Sequence, residues 1–338
     1  MEGTILVATA GQGILRSSNN GDTWDRIPLE QAIEYDGVVR ALAVDPHVPS
    51  RVFAGADVGL CVSEDGGTTW TRVDSPMNDM HVWSLAIDPQ DPKNMLAGTG
   101  APSRAALFSS SDNGKTWRRI GPEIPEFCQG VHRPRLLTVC IDPTDGRRQW
   151  FGLEEGGLFF SHDGGQNWER LDEKHRISSS DIHAIRIVPG PPKTVMVVVV
   201  NGVYRSEDDG KSWTGVNAKQ AFGLRYGRMV AAKADSSSTL LLAIGDATPG
   251  TASKILRSRD LGKSWEVLPL PLAPNSTFWA FGVHPANPNL IFAGTKYGHL
   301  YRTQNGGDSW QREWREFSEI TDIAWTPAQA KAAPGHHH

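Results

Sequence analysis

The sequence predicts an all-β fold: a single seven-bladed β-propeller with four-stranded blades, closed by the C-terminal strand completing the N-terminal blade. Three observations lead there. An eight-residue stretch, Ser63-Glu64-Asp65-Gly66-Gly67-Thr68-Thr69-Trp70, has six further copies. The tryptophans that end the copies, Trp24, Trp70, Trp117, Trp168, Trp213, Trp265 and Trp310, are separated by 46, 47, 51, 45, 52 and 45 residues. Between copies run short segments rich in β-branched and aromatic residues, cut by Gly, Pro and Asp, with no sustained 3.6-residue apolar period. Four strands per unit, repeated around a ring, is the pattern of a propeller.

The repeated stretch reads as a tight turn. Asp65 can bend its carboxylate back onto nearby backbone N–H groups, as an Asx turn does. Gly67 supplies a position of positive φ. Thr69 and Trp70 open the next strand, and the indole is large enough to fill a gap between layers. Within residues 38–73, Val39 to Val44, Arg51 to Gly55, Leu60 to Ser63 and Thr69 to Val73 read as the four strands of one blade. The first segment, Thr4 to Ile27, supplies only three strands. The last, Ile320 to Trp325, reads as a lone first strand ending at Thr326-Pro327, where other units have Asp-Pro. Pairing the two closes the ring and removes open edges. The blades are then 320–326 with 4–27, 38–73, 82–120, 135–171, 181–216, 228–268 and 277–314. The propeller occupies residues 1–327. Residues 328–338 form a tail whose His336 to His338 read as the remnant of a purification tag. A short helical turn is expected near Leu29 to Tyr35.

Composition narrows the function. A net charge of −4 carries no basic footprint for nucleic acid. No apolar run approaches the length of a membrane span. Met1 to Ile5 lack a basic region followed by an apolar one, so no signal peptide is expected and the location reads as cytoplasmic, unless a leader has been removed. Cys61, Cys128 and Cys140 have no metal-type spacing and are expected to be free thiols.

The S-x-D-x-G-x-[ST]-W stretch resembles the Asp-box, or BNR repeat, of sialidases, sortilins, xyloglucan-hydrolysing propellers and the photosystem II assembly factor. A box in each of seven blades is most similar in layout to assembly factor-like and xyloglucanase-type propellers. The resemblance implies that the box is structural, on the turn between strands three and four, away from the ligand face. Sialidase itself is set aside, because there is no Arg-Ile-Pro near the start and no Tyr/Glu nucleophile pair, and sialidases use six blades.

Attention therefore falls on the opposite face. Aligning first strands on their Asp-Pro ends puts Ala41, Ser84, Thr138, Ala184, Ala231, Ala280 and Asp322 in one layer, six of them small, as crowding at an axis requires. Towards the mouth come Arg40, Trp83, Leu137, His183, Val230, Trp279 and Thr321, then Val38, His81, Arg135, Asp181, Arg228, Thr277 and Glu319. The outer ring is polar and varied, as a site grafted on a repeated scaffold would be. Loops between strands two and three add Glu154, Glu155, Lys296, Tyr297 and His299. Two such loops are long, Gly98 to Ala106 and Gly245 to Lys254, as are the connections Gly121 to Pro134 and Val216 to Gly227.

Three chemistries fit these residues. Arg40, Arg135 and Arg228, with Arg133 or Arg225 behind them, can converge on a carboxylate, sulfate or phosphate, while Trp83, Trp279 and Tyr297 contact a ring or sugar. His81, His132, His183 and His299, with Glu154 or Asp181, can bind a divalent metal (Zn, Mn, Fe or Ca) that activates water. His81, His183, Glu154 and Asp181 can serve as acid and base in hydrolysis or lyase chemistry. Arg186 and Lys233 replace small residues in one channel layer and read as a polar contact. The mixture of residues and the long loops favour an enzyme with a pocket for a small anionic or carbohydrate-like ligand. The alternative is a non-catalytic scaffold that offers the same arginines to a protein partner.

Overall fold

The computed structural model describes residues 3–130 and 133–328. It contains seven antiparallel four-stranded sheets, six in chain order and the seventh led by the C-terminal strand. In blade one, Glu319–Pro327 pairs with Gly3–Ala10, placing Ala324 opposite Leu6 and Ile323 opposite Val7. The C-terminal strand thus closes the ring as expected. The first strands of blades two to seven are Val39–Val44, His81–Ile87, Leu136–Ile141, Ile182–Val188, Tyr226–Ala232 and Phe278–Gly282.

Second strands explain the apolar runs in the sequence. Val52–Ala56, Thr194–Val199 and Leu240–Gly245 are buried along their whole length, because each is covered on both faces by neighbouring blades. Apolar clusters accordingly straddle blade pairs; Val52, Ala54 and Cys61 pack with Leu6, Ala8 and Ile14. Each large aliphatic side chain buried this way contributes roughly 1.5–3 kcal/mol.

The boxes fold as read from the sequence. Ser63 Oγ donates to Asp65 Oδ1 (2.8 Å) and accepts from Gly67 N–H (2.8 Å). Asp65 accepts from Thr69 N–H (2.8 Å) and Thr69 Oγ (2.6 Å), and Trp70 Nε1–H donates to Gly67 O (2.9 Å). Gly67 has φ +93°, and a Cβ there would stand 2.7 Å from Leu6 Cδ2 of blade one. The box therefore needs glycine twice over, for its backbone and for its approach to the next blade. Because the turn absorbs Thr69 and Trp70, the fourth strand shrinks to Thr71–Arg72.

Four blade junctions carry an arginine latch. The residue before the box reaches the fourth-place carbonyl of the neighbouring box: Arg16 to Gly66 (3.1 Å), Arg205 to Leu261 (3.1 Å), Arg257 to Gly306 (3.0 Å) and Arg302 to Asn20 (2.7 Å). Blades two, three and four have Val62, Ser109 and Phe160 at that place. Between blades two and three, Arg51 donates instead to Asn113 Oδ1 (2.6 Å). Between four and five, Lys193 bridges Asp142 and Asp209 at 2.7 Å each.

One expected element is absent. Residues 29–35 form turns and bends, not a helical turn. Glu30 takes a left-handed φ of 73°, and the Gln31 side chain swings out to accept from Trp70 N–H (2.8 Å). The helix among the described residues is Ala218–Phe222, in the long connection after blade five, capped by Asn217 and ended by left-handed Gly223. It is far too short to cross a membrane, and no described helix is long and apolar enough to do so. The three thiols are free, with Cys61 and Cys140 buried. The C-terminal tail lies outside the described residues.

The latch between blades seven and one is Arg302, whose Nε also stands 2.7 Å from Glu313 of its own blade, with both side chains buried. Arg302→Leu strands that carboxylate and is expected to cost about 3–5 kcal/mol in urea unfolding, with Arg302→Leu/Glu313→Leu recovering part of the loss. A single variant within about 1 kcal/mol of the parent would show that this buried pair contributes little to stability.

Candidate functional site

Every first strand carries one β-bulge, always at the same level. The residues skipped by the pairing are Arg40, Trp83, Leu137, His183, Arg228, Trp279 and Thr321. An extra residue breaks the alternation of faces and re-aims a side chain. Seven such breaks form one ring at the channel mouth.

This register corrects the expected layers in blade six. Arg228, not Val230, belongs to the bulge ring, Tyr226 takes the outer place, and Met229 replaces Ala231 in the inner layer. The reason lies at the strand end. Asp45, Asp88 and Asp142 N–H groups bond to Arg51, Asn94 and Arg148 carbonyls; in blade six the equivalent bond is Lys233 to Thr239. The strand therefore ends at Lys233, two residues before the Asp235 used for alignment, and Lys233 does not share a layer with Arg186.

The ring builds two cation–indole groups. The Arg40 and Arg135 guanidinium carbons lie 4.0 and 4.7 Å from the Trp83 ring centroid. The Arg228 carbon and Lys296 Nζ lie 3.3 and 4.2 Å from that of Trp279. Trp83 is held by its Nε1–H donating to Ala101 O (2.9 Å), so the long loop after strand two fixes this indole. Both tryptophans thus engage the protein's own cations, where a sugar-stacking role was expected.

Charge balance within the ring is uneven. Arg135 pairs with Glu154 (3.4 Å) and Lys296 with Glu319 (3.2 Å). Among the described residues, no carboxylate lies within 4.0 Å of Arg40 or Arg228. The Nε–H groups of Arg40, Arg135 and Arg228 are buried without an acceptor. Burial, with repulsion from Arg135 added, holds Arg40 down at about 10, against attraction from Glu319 and Asp57. Burial also lowers Arg228 and Lys296. Arg133 and Arg225 stand apart, bonded to the carbonyls of Pro102 and Asp246.

Glu154, Glu155, Asp181 and His183 lie close enough to feel one another's charge, while His81 and His299 do not join them. His183 is buried, with Nδ1 2.6 Å from Gly227 O and Nε2 3.2 Å from Asp181 Oδ2, so both ring nitrogens are engaged. Burial raises the Glu154 carboxyl against the pull of Arg135, and the Asp181 charge adds to the rise. Glu155 is raised for the same first reason. His81 is held low by burial, and its Nδ1 has no partner. His299 faces outward along its strand, with Nε2 3.5 Å from Glu316. Tyr297 is exposed on the loop before that strand. His132 lies outside the described residues. Among those described, no three His, Cys, Asp or Glu side chains are grouped to hold a metal ion.

Beneath the bulge ring is a cavity of about 80 Å³, lined by Arg40, Trp83, Arg228 and Trp279 above and by Ser84, Thr138, Met229, Arg186 and Asp322 below. That is room for a few waters or one small oxyanion. Asp322 accepts from Leu42 N–H (2.8 Å) and Ile323 N–H (2.9 Å). Burial still drives its carboxyl up to about 6, against those two bonds and Arg186. Tyr226, Met229 and the shared role of Arg186 and Asp322 escaped sequence reasoning. The signal available was that residues 233–235, Lys-Ala-Asp, are not an Asp-Pro.

Known proteins share this architecture. The Sortilin-Vps10 (Sortilin, neurotensin receptor 3) family profile matches residues 12–149, and the BNR/Asp-box repeat profile matches residues 159–170. A xyloglucanase from a Paenibacillus species is 24% identical over 355 residues, covering 86% of this chain and 33% of that protein. The chain thus spans about a third of that relative's length. The structure of YCF48 from Cyanidioschyzon merolae superposes with a TM-score of 0.60 at 15% identity, over 88% of this chain and 90% of that one. YCF48 bound to D1 peptide superposes at 0.56 and 17% identity, over 86% and 85%.

Asp322 makes a pH prediction. Its folded-state pKa is raised, so the native chain holds this proton more tightly than the unfolded one, and stability falls as pH rises from the ordinary carboxylate range through about 6. Asp322→Asn is expected to raise the urea midpoint at pH 7.5 and to change it little at pH 4.5. Equal effects at both pH values would show that the carboxylate charge is not the cause.

Proposed function

We propose that this seven-bladed β-propeller, whose residues 159–170 match the BNR/Asp-box repeat, is a binding propeller that captures an oxyanion-bearing ligand at the mouth of its central channel. One observation carries this reading. Arg40 and Arg228 both line the cavity, neither has a carboxylate partner, and both keep a buried Nε–H without an acceptor. A buried donor left unsatisfied costs about 1–3 kcal/mol, and more when charged. A ligand oxyanion supplies the missing acceptor, and guanidinium forks suit it in geometry as well as charge. Lowered pKa values in the same cations reflect burial and repulsion from Arg135, both offset by an incoming negative charge. The fold shared with YCF48, one structure of which holds a D1 peptide, supports a peptide as one carrier of the anionic group.

A second reading is glycoside hydrolysis, favoured by the xyloglucanase relative. In it Glu154, whose carboxyl is raised, acts as the acid and Asp181 as its partner. The unpartnered cations lining the cavity support the first reading over the second.

Calorimetric titration with phosphate and acetate tests the proposal. One-site anion binding is expected, weakened at least about tenfold by Arg40→Gln or Arg228→Gln. Hydrolysis of xyloglucan oligosaccharides that disappears in Glu154→Gln, with no anion binding in the parent, would replace this reading with the second.

A further inference from the structure

Below the mouth the channel is lined by small residues, as converging strands demand, and two charged side chains break the pattern. The layer of Ala41, Ser84, Thr138, Ala184 and Ala280 includes Asp322. Two residues further along each strand, on the same face, the layer of Ala43, Ala86, Ala231, Gly282 and Ala324 includes Arg186. Both charged residues line the cavity under Arg40 and Arg228. Neither is required by the repeat, since the other blades build the same layers without charge.

The hydrogen bonding of this pair leaves capacity facing the cavity. Arg186 gives one Nη1–H to Ile185 O (2.7 Å), and its Nη2 lies 3.9 Å from Met229 Sδ, so donors remain. Asp322 accepts one backbone N–H on each oxygen, and a carboxylate oxygen has a second lone pair. A space otherwise built for an anion thus contains one fixed acceptor. An oxyanion without a proton meets that acceptor as a like charge. An oxyanion with its own O–H donates to it, while its remaining oxygens accept from the arginines. Three guanidinium groups and one carboxylate leave a net charge of about +2, which matches a doubly charged anion.

Resting on the reading of the mouth as an anion site, we propose that the chamber takes orthophosphate, and that Asp322 selects it over sulfate and carboxylates by accepting the hydrogen-phosphate proton. Sulfate has the same shape and charge but no proton at neutral pH. It would leave Asp322 facing a negative oxygen. This discrimination weakens in acid. The titratable groups facing Asp322 across the cavity are Arg40, Arg186 and Arg228, which stay charged, while Asp322 itself gains a proton as pH falls below about 6 and can then donate to sulfate.

The test is calorimetry with inorganic phosphate, sulfate and acetate at pH 7.5 and pH 5. At pH 7.5 phosphate is expected to bind at least about tenfold tighter than sulfate or acetate, the penalty of an unmade buried hydrogen bond. The preference over sulfate is expected to shrink at pH 5. Asp322→Asn, whose amide can donate, is expected to bring phosphate and sulfate within about threefold at pH 7.5, and Arg186→Gln to weaken both. Should the Asn variant fail to fold, the pH 5 arm on the parent protein tests the same point. Equal phosphate and sulfate affinity in the parent at pH 7.5, or an undiminished preference in Asp322→Asn, overturns the selectivity and leaves the mouth as an anion site. No binding of any of the three anions overturns both.

Discussion

The turn closed by Ser63, Asp65 and Gly67, and remade in each blade, is the constraint from which the rest of the architecture follows. Its hydrogen bonds are short and local, so it forms without waiting for distant contacts. Two successive left-handed positions, such as Gly66 and Gly67 at φ 72° and 93°, turn the chain tightly enough to lay the box against the second strand of the preceding blade. Blade spacing is set at that contact. The arginine latches act on the same place, holding the fourth-position carbonyl of the next box. Once spacing is fixed, seven blades close, and closure brings seven first strands together at one axis.

Convergence at the axis has two consequences. Side chains in the channel must be small, which accounts for the alanine-rich layers. First strands cannot stay regular up to the mouth, and each relieves itself with a bulge at the same level. The bulge ring is where the repeat ceases to be uniform, because a re-aimed side chain no longer has to fit a neighbour's strand. Arg40, Trp83, Arg228 and Trp279 stand there. The indoles keep the guanidinium groups in place by cation–π attraction, worth about 0.5–2 kcal/mol each, without neutralising them. Arg135 and Lys296 share the same indoles but are matched by Glu154 and Glu319, whereas Arg40 and Arg228 have no carboxylate partner among the described residues. A cation held by a ring keeps its charge for a ligand.

Much of this was legible from residues alone, and the exceptions are instructive. The closing role of Ile320 to Trp325 could be read because a strand without a box, at the far end from a blade lacking a strand, has one place to go. Arg40, Arg135, Arg228, Trp83 and Trp279 were placed together at the mouth because a repeat can be aligned. The histidines were placed at the mouth as well, but not their bonding. His183, from an aligned ring, has both nitrogens spent on Gly227 and Asp181, and His299, expected on a loop, starts a third strand and points to the outer strand. Repeat position sets the depth of a residue in the blade. It does not set what the ring nitrogens bond to. Blade six shows a second limit, since its strand end at Lys233 lacks the usual Asp-Pro and displaced the alignment by two residues, hiding the partnership of Arg228 with the bulge ring.

The sequence by itself determined the number of blades, the strand order within them, the closure and the face on which a site could lie. These follow from local turn chemistry and from a period, and both are written along the chain. Only the tertiary structure decided which cations are left without a carboxylate, that the tryptophans hold arginines, and that Arg186 and Asp322 share one small cavity with Arg40 and Arg228. Those facts depend on contacts between blades and on burial, which changes the energy of every charge it encloses. Neither can be read from spacing, because residues that meet across the axis are separated by one or more whole blades of chain.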